Sequence, residues 1–169
     1  MSPITCQVCG QTHPLDEIEG SFTLPDVVAN ISRIARLVRV KSDRNFCILD
    51  NKTFFVRCLL PIPLHESSDN YCWGVWVQLS EDLFKRAKHS WSSRDREHEA
   101  PLDGVLANNI LLYELGTLNL PVQIKHSPPG IAPTIRILSL SHPLAIEQEN
   151  GVSVARAMEY NHFVLHRHV

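Results

Sequence analysis

The chain opens with Cys6-Gln-Val-Cys9-Gly10-Gln-Thr-His13, and no other stretch has a spacing that chemistry demands. Two thiolates separated by two residues reach one tetrahedral ion when the backbone turns beneath it, and Gly10 permits that turn. His13 offers a third ligand, and no fourth lies nearby. The stretch is therefore half of a zinc site, and whatever completes it must come from downstream. A pair of reduced thiols on a surface loop is the plain alternative. A thioredoxin-type redox pair fits less well. Only five residues precede Cys6, and Gly10 and Pro14 disfavour the helix that such a pair opens.

Length and charge narrow the rest. A chain of 169 residues suits a single domain, 1–169. The zinc-knuckle-like segment takes 1–22 and an α+β body takes 23–169. With 44% apolar and 20% charged residues the chain can build a core without staples. Lys plus Arg number 16 against 18 Asp plus Glu, a balance that leaves no electrostatic footprint for nucleic acid and no polybasic membrane patch. Five cysteines, an odd number without a secretory segment, point to a reducing compartment. No apolar run has the length of a membrane span. These features together predict a soluble, cytoplasmic protein, and they leave its oligomeric state open.

Periodicity supplies the elements. After Leu24-Pro25-Asp26, the residues Val27, Val28, Ile31, Ile34, Leu37 and Val38 recur at helical spacing on one face. Arg33, Arg36 and Arg39 lie mostly off that face and read as solvated. Residues 45–50 and 53–62 flank the turn chemistry of Asp50-Asn51-Lys52 and predict a β-hairpin. Tyr71 to Leu79 forms a third strand, in which Gly74 marks a bulge or a close backbone approach. Ser80 caps a helix whose apolar side carries Leu83, Phe84, Ala87 and Trp91. Residues 92–103 mix both charge signs and read as a solvated loop rather than a phosphate site. Further strands are expected within 104–113, over 118–126 and over 133–141, then a short helical turn through Gln148 and a final helix capped by Ser153. Strands without regular helical crossovers imply an α+β fold: a largely antiparallel sheet with helices packed on it.

Several blocks in one order carry a resemblance. They are the Cys6-x-x-Cys9-Gly10-x-x-His13 start, Phe46-Cys47-Ile-Leu-Asp50, Phe54-Phe-Val-Arg57 leading to Pro61-Ile-Pro63, Trp73-Gly-Val-Trp76, Pro129-Gly130 and His142-Pro-Leu-Ala145. Across nearly the whole chain the sequence resembles a bacterial domain-of-unknown-function family, number 2199. The resemblance implies the fold boundaries and the cysteine start and no reaction. Because Cys47 lies in one of these blocks, it is the first candidate for the fourth zinc ligand, set against the small buried hydrophobe that such a cysteine more often is. His65, His126 and His142 are lesser candidates. His162 and His166 share a helical face with Glu159, a spacing that suits zinc and equally suits a solvated helix end.

No residue is assigned a catalytic role. The His-Glu-x-x-His, P-loop, dinucleotide and Gly-x-Ser-x-Gly patterns are missing. Trp73 and Trp76 lie three apart on a strand and so face opposite sides. One belongs to the core, and the other is a candidate anchor for a protein partner, unless a helix layer covers it too. The leading expectation is a binding or interaction protein with a structural zinc, one version being the immunity-type partner of a toxin. The alternative is a metal-dependent, hydrolase-like enzyme using the N-terminal site.

Overall fold

The computed structural model describes residues 4–5, 12–13 and 20–166, with side chains described over 20–164. Its first elements are two short strands, β1 (Ile4–Thr5) and β2 (Thr12–His13), paired antiparallel. Two short helices follow, α1 (Asp26–Ala29) and α2 (Arg33–Arg39), then β3 (Val40–Ser42) and β4 (Phe46–Leu49). The two longest strands are β5 (Thr53–Pro63) and β6 (Asn70–Leu79). Helix α3 (Glu81–Ser90) leads through a single 3-10 turn, Arg96–His98, into β7 (Leu102–Leu106), β8 (Pro121–Lys125) and β9 (Thr134–Ile137). Helices α4 (Pro143–Asn150) and α5 (Val154–His166) complete the order.

The sequence dictates the spine locally. Asp50 and Asn51 both take positive φ, 52° and 53°, at the β4–β5 turn, a conformation that tight hairpins need and that Asp and Asn tolerate. β5 and β6 then pair antiparallel from Phe54↔Leu79 to Pro63↔Asn70. On one face Phe54, Val56, Cys58, Leu60 and Ile62 meet Tyr71, Trp73, Val75, Val77 and Leu79, and all ten are buried. Burying each large apolar side chain contributes roughly 1.5–3 kcal/mol. Phe84 of α3 covers one end of this face, with ring centroids 5.4 Å from Phe46 and 5.1 Å from Phe54. Tyr160 of α5 covers the other, 5.0 Å from Tyr71 and 5.4 Å from Trp73.

The α+β class holds, with a closure that periodicity does not display. β6 pairs with β7, β7 with β8 and β8 with β9, all antiparallel, and β9 returns to β5 as a parallel neighbour at Leu59↔Thr134. Five strands so close a small barrel, and β3 and β4 extend the sheet from the other half of the same β5 edge. Gly74 is a close approach. Residues 20–22 bridge to it in parallel, and a Cβ there would lie 2.8 Å from Ser21 Oγ.

The helix expected over 27–38 departs from its pattern. It breaks between Asn30 and Ser32, where Ser32 Oγ accepts from Ala35 N to cap a new helix. Asp26 fastens α1 to the loop after β7, accepting from Asn108 Nδ2 at 2.9 Å and Asn109 N at 2.8 Å. α2 then turns outward. Val28 is buried, while Ile34, Leu37 and Val38 are 80–86% exposed. Among the described residues no helix is long and apolar enough to cross a membrane.

Candidate functional site

A crevice opens where β5 changes neighbour. On one edge of β5, Arg57 N–H donates to Asn45 O at 2.8 Å, and the next N–H on that edge, Leu59, donates to Pro133 O at 2.8 Å. The chain enters β4 and β9 at this point from two different loops, and the gap between those loops is a cavity of about 360 Å³. Here the walls bring together Arg44, Arg57 and Arg96 with Trp91, and Leu59 and the 130–132 loop supply the apolar part. Among the described residues none that lines it is a carboxylate, imidazole or thiol.

Arg96 sets the character of the site. It is 1% exposed, and Nε, Nη1 and Nη2 are all buried without a hydrogen-bond partner. Its guanidinium lies 4.0 Å from the centroid of the Trp91 ring, a cation–π stack, and Trp91 is held edge-on by Phe46 at 4.8 Å. Stacking leaves the in-plane N–H groups free. A buried charge without a hydrogen-bond partner costs several kcal/mol unless something pairs with it. Burial loosens its hold on the proton, yet a guanidinium remains charged at physiological pH. Behind it lies a void of about 10 Å³ shared with Val56, Ile124 and His126, room for one water at most. Burial, and then the Arg96 charge, lowers the His126 pKa.

Arg57 approaches from the opposite face of β5 and donates from Nη2 to Ser21 Oγ at 2.6 Å. Arg44 is exposed, and the neighbouring Asp43 turns its Oδ1 to the backbone N–H groups of Asn45 and Phe46. The ion pairs among the described residues lie elsewhere, and none takes Arg44, Arg57 or Arg96. Three arginines without a counter-charge among the described residues thus line one cavity, with the Arg96 nitrogens lying beneath its accessible surface.

The residues singled out from sequence are placed differently. Cys6 and Cys9 lie outside the described residues, as does the His13 side chain. The β1–β2 pairing does bracket the Cys6–Gln11 segment, joining Thr5 to Thr12 and Ile4 to His13. Cys47 is completely buried in β4, and burial, with Asp43 adding to it, pushes its thiol up to about 11. Trp73 and Trp76 are both buried, at 0% and 1%. The exposed-anchor expectation therefore fails: α5 covers Trp73, and the 20–22 segment covers Trp76, whose Nε1 donates to Phe22 O at 3.0 Å. His142 caps α4 through Nδ1 and reaches Gly116 O through Nε2, and His65 bonds Asn150 O. Among the described residues no group of three or more His, Cys, Asp or Glu is arranged to hold a metal ion.

Arg96 was invisible to sequence reading. It sits in the mixed-sign 92–103 run, which periodicity marks as solvated. Trp91, five residues earlier, is the one local cue.

A family described as "Uncharacterized protein conserved in bacteria (DUF2199)" matches residues 5–152. No curated protein matches the chain, and no solved structure does.

Proposed function

The chain belongs to the DUF2199 family of uncharacterised bacterial proteins, and on that premise we propose that it is a binding protein whose crevice at the β5 switch takes up an anionic ligand. The observation that carries this reading is Arg96: a guanidinium 1% exposed, with no hydrogen bond on any nitrogen, in a residue that lines a cavity with two more arginines and, among the described residues, no carboxylate. A fold tolerates such a group only where something offsets it, and an anion meeting it in a site closed to bulk water is weakly screened. The lining offers charge and an apolar wall but no group to move a proton, which favours binding over the hydrolase alternative. The test is thermal unfolding in polyvalent anions against chloride at matched ionic strength. Polyvalent anions should raise the melting temperature of the wild-type chain by more than the general salting effect seen in Arg96→Met. Equal shifts in both chains would refute the reading.

In this reading the N-terminal Cys6, Cys9 and His13 keep the role of structural zinc ligands. Their spacing supports it, and so does a strand pair that brings both ends of the cysteine segment together. One equivalent of zinc in the purified protein, lost in Cys6→Ser with Cys9→Ser, is the expected result. A metal-free protein of undiminished stability would end that proposal.

A further inference from the structure

The geometry points to a phosphate monoester as the ligand class of the arginine crevice, an inference that rests on the anion-binding reading above and narrows it. Charge comes first. Three arginines with no acid among the described lining residues exceed what one carboxylate would neutralise. A phosphate monoester is a dianion above its second pKa of about 6. Geometry comes second. A carboxylate is planar and accepts near its own plane, where one guanidinium fork fills half of its lone-pair sites. Here the three arginines stand on three separate pieces of chain, the loop before β4, the β5 strand and the 3-10 turn, so their donors approach the cavity from divergent directions. A tetrahedral group can accept from such divergent directions, and a planar one cannot.

Donor supply agrees with this. Arg96 has every N–H unspent, Arg57 has committed Nη2 to Ser21, and no described hydrogen bond uses the Arg44 side chain. The remaining space sets the rest of the ligand. About 360 Å³ lies at the lower end of small-molecule sites, roughly 300–1,000 Å³, and Leu59, Ile131 and Ala132 line part of it. The ligand is therefore an ester whose small organic group rests on that apolar wall. Entry needs the 130–132 loop to yield. Gly130 has φ 85° and open space around its Cα, and Ile131 is 54% exposed, so little packing resists it.

Calorimetric titration of the full chain tests this with three probes at matched ionic strength: inorganic phosphate, glycerol phosphate and malonate. Glycerol phosphate should bind at one equivalent, tighter than inorganic phosphate, and malonate should bind at least about tenfold more weakly. Affinity for both phosphates should fall between pH 7 and pH 5 as the dianion takes up a proton. Arg96→Met should abolish binding while the chain still unfolds cooperatively, and Arg57→Met should weaken it. Malonate binding as tightly as the phosphates, and lost in Arg96→Met, would overturn the phosphate inference and leave the anion reading standing. Inorganic phosphate outbinding the ester would overturn the ester. Failure of all three probes, or binding unchanged in both variants, would overturn the site itself.

Discussion

Two arginines in this chain, Arg96 buried and Arg156 partly buried, are treated in opposite ways. Arg156, on α5, donates from Nε to Glu147 Oε1 at 2.8 Å and from Nη1 to Glu159. Glu147, on α4, also accepts from the hydroxyls of Tyr113 and Tyr160. Burial works against the Arg156 charge, and the two carboxylates overcome it, so its proton is held more tightly than in water. Every polar group in that cluster has a partner, and the cluster joins α4, α5 and the loop after β7. Arg96 has only the face of Trp91. The contrast separates a buried cation that the fold uses from one that it holds in reserve. A complete network rigidifies, whereas an incomplete one is costly and persists where a ligand completes it.

Glu147→Ala should give the largest effect. It removes the acceptor that Arg156 and two tyrosine hydroxyls share, leaving Arg156 only Glu159 and the hydroxyls only each other, and a loss of about 3 kcal/mol in urea unfolding is expected. A loss below about 1 kcal/mol would place Arg156 on the same footing as Arg96 and dissolve the contrast.

Alkaline pH comes next. Burial is the leading cause that raises Tyr113 and Tyr160, with Glu147 adding to it, and burial lifts the Cys47 thiol to about 11. The folded state therefore keeps protons that the unfolded chain releases. Stability is complete below the unfolded values, about 8.5 for Cys and about 10 for Tyr, and declines as pH rises through the folded ones. Unfolding measured from pH 8 to pH 11 should show this decline, and Cys47→Val should flatten only part of its onset, because burial raises the Cys58 thiol too. A flat profile would mean that the cluster is open to water.

The smallest effect concerns the other region. His126 is lowered by burial first and by Arg96 second. Its folded value lies below the ordinary one of about 6.5, so the stability it contributes is lost as pH falls from there. Arg96→Met should raise the His126 pKa in an NMR titration, and a bound phosphate should do the same. A value unmoved by both would show that the Arg96 charge does not reach the barrel interior.

The two regions also differ in how far sequence could disclose them. The hairpin, the Ser80 cap and the third strand are local: turn residues, alternation and capping fix them within a dozen positions. The His142-Pro143 start of α4 was legible for the same reason. The barrel closure was not. It depends on a parallel contact between Leu59 and Thr134, 75 positions apart, and no periodicity records it. The crevice inherits that blindness, since it exists only where β4 and β9 share the β5 edge. Arg96 was further hidden by neighbours of both signs, Arg94, Asp95, Glu97 and Glu99, which give the run the composition of a solvated loop. α2 misled in the other sense. Its apolar spacing is real, but the break at Ser32 removes the helix from the surface that would have buried it.

The central claim is that Arg96 is kept unpaired for an anion rather than for the fold. The most direct measurement is the unfolding free energy of the wild-type and Arg96→Met chains, each with and without inorganic phosphate. Without phosphate the variant should be as stable as wild type or more so, by about 1–3 kcal/mol, since an uncompensated buried charge is gone. At a phosphate concentration about 100 times its dissociation constant, wild type should gain about 2.7 kcal/mol and the variant nothing, so that the order closes or reverses. A variant less stable than wild type in phosphate-free buffer, with neither chain responding to phosphate, would show that the Arg96 charge serves the fold and would contradict the account.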